Sequence, residues 1–148
     1  MKAKFKISAL LLISLLFIFS AIFIVKKSNE FKVYQINLYS DDFELENYQI
    51  IKTTSSYYIP DTYSIKALND YKLISDVSFS VKHKNEYLTT SNFNFPNENI
   101  IYSKTESINN NYSINDNNEL IFTFKYKKND ELKEITHSVK LNQYKKNY

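Results

Sequence analysis

Along two long stretches of the chain apolar and polar residues alternate one by one, the period of a strand with one face buried. The clearest run is Leu120, Phe122, Phe124 and Tyr126, followed by Lys128-Asn129-Asp130-Glu131 and then by Lys133, Ile135, His137, Val139 and Leu141 in the same alternation. Two such strands joined by a short Asn/Asp turn predict a hairpin whose apolar faces meet one core. A second hairpin is predicted upstream. Val77-Ser78-Phe79-Ser80-Val81-Lys82-His83 alternates, Lys84-Asn85-Glu86 turns, and Tyr87, Thr89, Ser91, Phe93 and Phe95 share one face of the return strand.

Weaker strands fit 31–39, 43–53, 63–68, 100–107 and 112–114, separated by Ser40-Asp41-Asp42, Pro60-Asp61, Pro96-Asn97 and Asn109-Asn110-Asn111. Within 43–53 the apolar phase moves from odd positions, Phe43 and Leu45, to even ones, Tyr48 and Ile50, which predicts either a β-bulge near Asn47 or the end of the strand there. Helix is expected to be sparse after residue 27. Short strands with turn signals at this spacing predict a mainly β domain over residues 28–148, an antiparallel β-sandwich of immunoglobulin-like layout or an open barrel, with a frayed tail at 143–148.

The first 27 residues follow a different pattern. Ile7 to Val25 carries no charge and is interrupted only by Ser8, Ser14 and Ser20. At about 1.5 Å per residue such a helix reaches nearly 30 Å, the thickness of a bilayer core, which predicts a transmembrane helix. A cleaved secretory signal has a shorter apolar core and a small-x-small exit. The exit here, Ser20-Ala21-Ile22-Phe23-Ile24-Val25-Lys26-Lys27, offers no such pair, so an uncleaved signal anchor is favoured over a secreted domain. Lys2, Lys4, Lys6 and the amino terminus stand against Lys26, Lys27 and Lys32. The short basic tail is expected to stay cytoplasmic and the domain to lie outside, on a single-pass protein of the cell membrane.

Composition narrows the chemistry. The chain has no cysteine, hence no disulfide, no thiolate metal site and no lipid-bearing cysteine. It has no glycine either, so asparagine and aspartate must supply positive φ at turns, and Asn85, Asn97, Asn110, Asn117 and Asn129 stand at suitable places. The net charge of +3 is carried by lysines around the apolar segment, because all sixteen acids lie beyond it. The remainder is close to neutral, with most lysines scattered singly, which argues against nucleic acid as a partner.

Candidate functional groups are few. His83 and His137 fall on separate hairpins, in phase with apolar faces and without a second ligand at i+2 or i+4, as expected of imidazoles tucked at the edge of a core. Without glycine there is neither a Gly-x-Ser-x-Gly elbow nor a phosphate-cradling loop, so no catalytic residue and no cofactor is assigned. Asp41, Asp42, Glu44 and Glu46 form the only dense acidic cluster, a candidate calcium site or simply a solvated face. Tyr57, Tyr58 and Tyr63, near Pro60, are candidates for an exposed aromatic platform, with packing at an edge strand as the alternative. Asn111-Tyr112-Ser113 matches a glycosylation acceptor. These features favour a non-enzymatic domain that contacts an envelope protein, a peptide or a wall polymer through sheet edges or tyrosines. The competing reading is a small ion-binding or hydrolytic domain built on His83, His137 or the acidic cluster.

Overall fold

The computed structural model describes residues 13–22, 31–53, 56–68, 70–95, 98–102, 107–109 and 114–146. The chain divides into two compact units, Met1–Phe31 and Lys32–Tyr148.

In the first unit residues 13–22 are helical. Ile13, Leu15, Leu16, Phe17, Ile18, Phe19 and Ile22 are all exposed on it, so no stripe of the helix is buried. Among the described residues no helix is long and apolar enough to cross a membrane. The other positions of the expected span, 7–12 and 23–25, lie outside them.

The described elements of the second unit are strands, apart from two short 3-10 turns. The strands are β1 (Lys32–Tyr39), β2 (Phe43–Lys52), β3 (Tyr57–Ile59), β4 (Ser64–Ala67), β5 (Ile74–His83), β6 (Glu86–Phe93), β7 (Ile100–Tyr102), β8 (Ser107–Asn109), β9 (Glu119–Lys128), β10 (Glu131–Lys140) and β11 (Lys145–Lys146). Two 3-10 turns, Tyr71–Leu73 and Leu141–Tyr144, are its described helical pieces. The strands form two antiparallel sheets. One runs β10-β9-β5-β6; the other is built around β2, with β1 and then β11 on one side and β3 and β4 on the other.

The expected bulge explains how β2 serves two neighbours on one side. Ile36 pairs with Tyr48, but Leu38 pairs with Leu45, so Glu46 and Asn47 together face Asn37. Asn47 takes a positive φ of 62°, its N–H donates to Asn37 Oδ1 at 2.8 Å, and its own Oδ1 accepts from Gln35 Nε2 at 2.6 Å. This is the left-handed position of a bulge, occupied by asparagine in a chain without glycine. Before the bulge β2 pairs with β4, and after it with β3. The same division separates β7, which joins β4, from β8, which joins β3. The expected single strand over 100–107 is therefore two short ones, with 103–106 outside the described residues.

The β5–β6 and β9–β10 hairpins form as expected, with adjustments at their turns and bulges. Asn129 and Asp130 both have positive φ, as a type I′ turn demands, whereas in the other hairpin positive φ falls on Lys84 and not on Asn85. Asn117 is not left-handed, and Asn97 and Asn110 lie outside the described residues. An extra residue at Leu88 shifts the β5–β6 register, so that Tyr87 faces solvent while Leu88 and Thr89 are both buried. A third bulge places Asp76 and Val77 opposite Tyr126, with Asp76 at a φ of 51°. Lys145 and Lys146, expected to fray, pair instead with Tyr34 and Val33.

The sheets meet through aromatic side chains. Phe43 of β2 stacks on Phe124 of β9 at 5.0 Å and meets Tyr126 edge-on at 4.8 Å, while Tyr48 meets Phe122 edge-on at 5.2 Å. These are favourable offset and T-shaped geometries, and each ring also removes a large apolar area from water. Tyr48 is fully buried, and its hydroxyl shares a 2.8 Å hydrogen bond with Thr89 Oγ1.

Candidate functional site

The acidic cluster is divided between two environments. Asp41 is exposed, whereas Asp42 is buried beneath the β1–β2 turn. Tyr126 Oη donates to Asp42 Oδ2 at 2.6 Å, and Lys128 Nζ bonds Oδ1. Burial and the neighbouring Asp42 carboxylate push the Tyr126 phenol well above the usual tyrosine range, so it remains a donor. Glu44 turns to Lys66 at 3.9 Å and accepts from Tyr39. Among the described residues no group of three histidine, aspartate or glutamate side chains is placed to hold a metal ion.

A second clasp of the same composition lies at Asp116, in the turn before β9. Its carboxylate accepts two 2.9 Å hydrogen bonds from Lys32 Nζ and one of 2.6 Å from Tyr34 Oη. These donors hold the Asp116 carboxyl below its ordinary value. In each clasp a lysine and a tyrosine two positions apart on one strand seize an aspartate from a loop. Charge-assisted bonds of this kind fasten loops to sheets and leave the carboxylates little capacity for a ligand.

The three tyrosines near Pro60 do not share one exposed face. Tyr57 and Tyr63 are buried at 2% and 3% exposure, and Tyr58 is half-buried on β3. Tyr63 packs on Tyr48 at 5.3 Å and on Phe79 at 5.8 Å. The exposed aromatic of the four-stranded sheet is instead Tyr87, with Lys82 Nζ 4.2 Å from its ring centroid. Its exposure comes from the Leu88 bulge, which simple alternation does not reveal.

The histidines both face the core side of the four-stranded sheet. His83 stands opposite Leu120, and His137 opposite Phe122. Strand β9 runs between them and their partners on it are two residues apart, so they are about 12 Å apart by strand geometry, too far to share one ion at ligand distances of about 2 Å. Burial, and then the charge of Lys84, lower the His83 pKa, which keeps the ring neutral.

A shallow depression of about 360 Å³ lies at Asp76, Val77, Asn92, Phe93 and Asn94. Two of its polar side chains have partners: Asn94 Oδ1 accepts from the Asp76 N–H at 2.6 Å, and Lys127 pairs with the Asp76 carboxylate at 2.7 Å. The arrangement braces the β5 bulge.

The largest uncommitted feature is the outer face of the four-stranded sheet together with its β10 edge. Cross-strand register places Thr90, Ser80, Thr123 and Thr136 in one row across all four strands. Beside it run Asn92, Ser78, Lys125 and Glu134. Strand β10 pairs with β9 over ten residues without a shift, and no described strand lies on its other side. A two-residue hairpin closes on a hydrogen-bonded pair, here Lys128 and Glu131, so odd-numbered residues of β10 bond to β9. Leu132, Glu134, Thr136, Ser138 and Lys140 then point their backbone N–H and C=O groups away from the sheet, and Leu132 is 80% exposed. Sequence reasoning raised sheet edges in general but not this one, because edge position is a property of strand order. Its one local trace is the charged residues spaced along Glu131–Lys140.

The chain matches no family model, no curated protein and no solved structure.

Proposed function

We propose that this chain is a membrane-tethered, non-catalytic contact domain of the cell envelope, in which the two sheets are the layers of one β-sandwich and the β10 edge receives an extended polypeptide segment. The ten-residue β10 edge, which pairs with no other strand among the described residues, carries this reading, since a regular strand with outward-pointing backbone groups is a template for strand addition. Edge β6 is a poorer template because its Leu88 bulge interrupts the ladder. Of the titratable groups singled out in the sequence, Asp42 is held in a clasp and the histidines lie on the core side, while Asp41 and Glu46 are exposed. The tether is read from the uncharged run Ile7 to Val25 and from the apolar residues exposed on every side of the helix over 13–22.

The chain has no cysteine, so Leu132→Cys gives a single attachment point for a photo-crosslinker beside the edge. In native membranes a polypeptide adduct is expected, and Thr136→Pro should abolish it. Proline there removes an outward N–H that takes no part in the β9 ladder, so the domain still folds, which circular dichroism checks. No adduct, or an adduct indifferent to Thr136→Pro, overturns the proposal.

A further inference from the structure

We infer that the segment received by the β10 edge is β10 of a second copy, paired antiparallel about a two-fold axis through His137. This rests on the edge-docking reading above and names its partner. A two-fold axis perpendicular to the sheet keeps inner faces with inner faces, so the symmetric registers are those in which one residue of β10 meets itself. Few of these are tolerable. Centring on Lys133 or Glu134 sets like charges face to face, and centring on Ile135 sets Lys133 against the partner's His137 and Glu131 against the partner's Val139. Centring on Thr136 puts Lys133 against the partner's Val139. A centre on Ser138 makes no charge pair.

The register centred on His137 is self-complementary at every position from Glu134 to Lys140. On the outer face Glu134 meets the partner's Lys140, and Thr136 meets the partner's Ser138. On the inner face Ile135 meets the partner's Val139, and His137 meets the partner's His137. The rows of each sheet continue across the join. Within one chain Lys140 stands opposite Glu119, and Lys125 opposite Glu134, with Lys125 Nζ 3.3 Å from the Glu134 carboxylate. The combined row therefore reads Glu119, Lys140, the partner's Glu134, the partner's Lys125, with alternating sign. The inner row reads Leu120, Val139, the partner's Ile135, the partner's Phe124.

Backbone polarity agrees with this register. The outward N–H and C=O groups belong to the even-numbered residues, so Glu134 with the partner's Lys140, and Thr136 with the partner's Ser138, form the hydrogen-bonded pairs. His137 and its symmetry mate then form a non-hydrogen-bonded pair, in which Cα atoms approach to about 4.5 Å. Two four-stranded sheets become one of eight strands, and both open β10 edges disappear. Confinement of two tethered copies to one membrane raises their effective concentration, which suits an interface of modest area.

Because the chain lacks cysteine, His137→Cys in the full-length protein places one thiol at the dyad, within the Cα separation a disulfide requires. Mild oxidation in membranes is expected to give a disulfide-linked homodimer with His137→Cys and none with Leu132→Cys. Adding Glu134→Lys should lower the dimer fraction roughly fivefold, because two cross-strand pairs turn from opposite to like charge, and adding Lys140→Glu to that variant should restore it. Co-purification of two differently tagged copies, with the histidine intact, reads the same charge reversal and rescue should His137→Cys fail to fold. A Thr136→Pro-sensitive adduct at Leu132→Cys to another protein, with no homodimer, overturns this inference and leaves the edge-docking reading standing. Absence of any edge adduct or dimer removes both.

Discussion

At the scale of single residues the most consequential groups are the aspartates of the two clasps. Asp42 sits in the more enclosed one: side-chain exposure is 10% there and 33% at Asp116. Asp42→Ala would leave the Tyr126 hydroxyl and the Lys128 ammonium without their shared acceptor in a largely buried place. It is expected to cost about 1–3 kcal/mol, measured by urea unfolding. Asp116 contributes chiefly through pH. Hydrogen bonds from Lys32 and Tyr34 lower its native pKa below the ordinary 3.8, so its stabilisation is full above that value and is lost as pH falls through the lowered one. The stability difference between the native chain and Asp116→Asn should therefore be constant near neutrality and shrink toward zero below about pH 3.8, as thermal melts against pH will show. A difference unchanged down to pH 2 would mean that the clasp does not bind the ionised form.

Asp42 stood out in the sequence as part of an acidic cluster, but its partner Tyr126 is 84 positions away, and nothing local announces the contact. Asp116 did not stand out at all. The signal that could have found both is the mirrored pattern Lys32-x-Tyr34 and Tyr126-x-Lys128, where a lysine stands in phase with buried residues and so needs an acid nearby.

At the scale of elements the fold depends on how a glycine-free chain makes left-handed turns. Five described residues with positive φ, Asn47, Asp76, Lys84, Asn129 and Asp130, take positions that glycine usually fills. Asn47 is the most exacting of them, because its side chain also bonds Gln35 across the bulge. Asn47→Val should destabilise by about 1–2 kcal/mol, the usual penalty for a residue with Cβ forced into this region, increased by its branching. Asn47→Gly should lose much less. If both variants melt alike, the side-chain bonds and not the backbone fix the bulge.

Alternation and the phase change at Asn47 made the long strands and this bulge legible, since each depends on residues next to one another. The short strands were not legible. Tyr57–Ile59 is too brief to show a period, and the break between β7 and β8 follows from the bend in a different strand. Of the tyrosines assigned to a platform, Tyr57 and Tyr63 fill the core while Tyr58 is half-buried, and β3 and β4 flank opposite ends of β2.

At the scale of the whole molecule a β domain with paired sheets follows an apolar amino-terminal segment, and the proposed function needs both. Replacing residues 7–25 by an unrelated membrane helix should leave the Leu132→Cys adduct unchanged if the segment serves only as a tether. Loss of the adduct would move the contact from the sheet to the helix. The measurement that tests the central claim most directly is the intact mass of the native protein after separation of membrane from medium. The account predicts the whole-chain mass of 17.6 kDa in the membrane fraction. A shorter species in the medium, beginning after about residue 21 to 27, would contradict it and make the domain a secreted one.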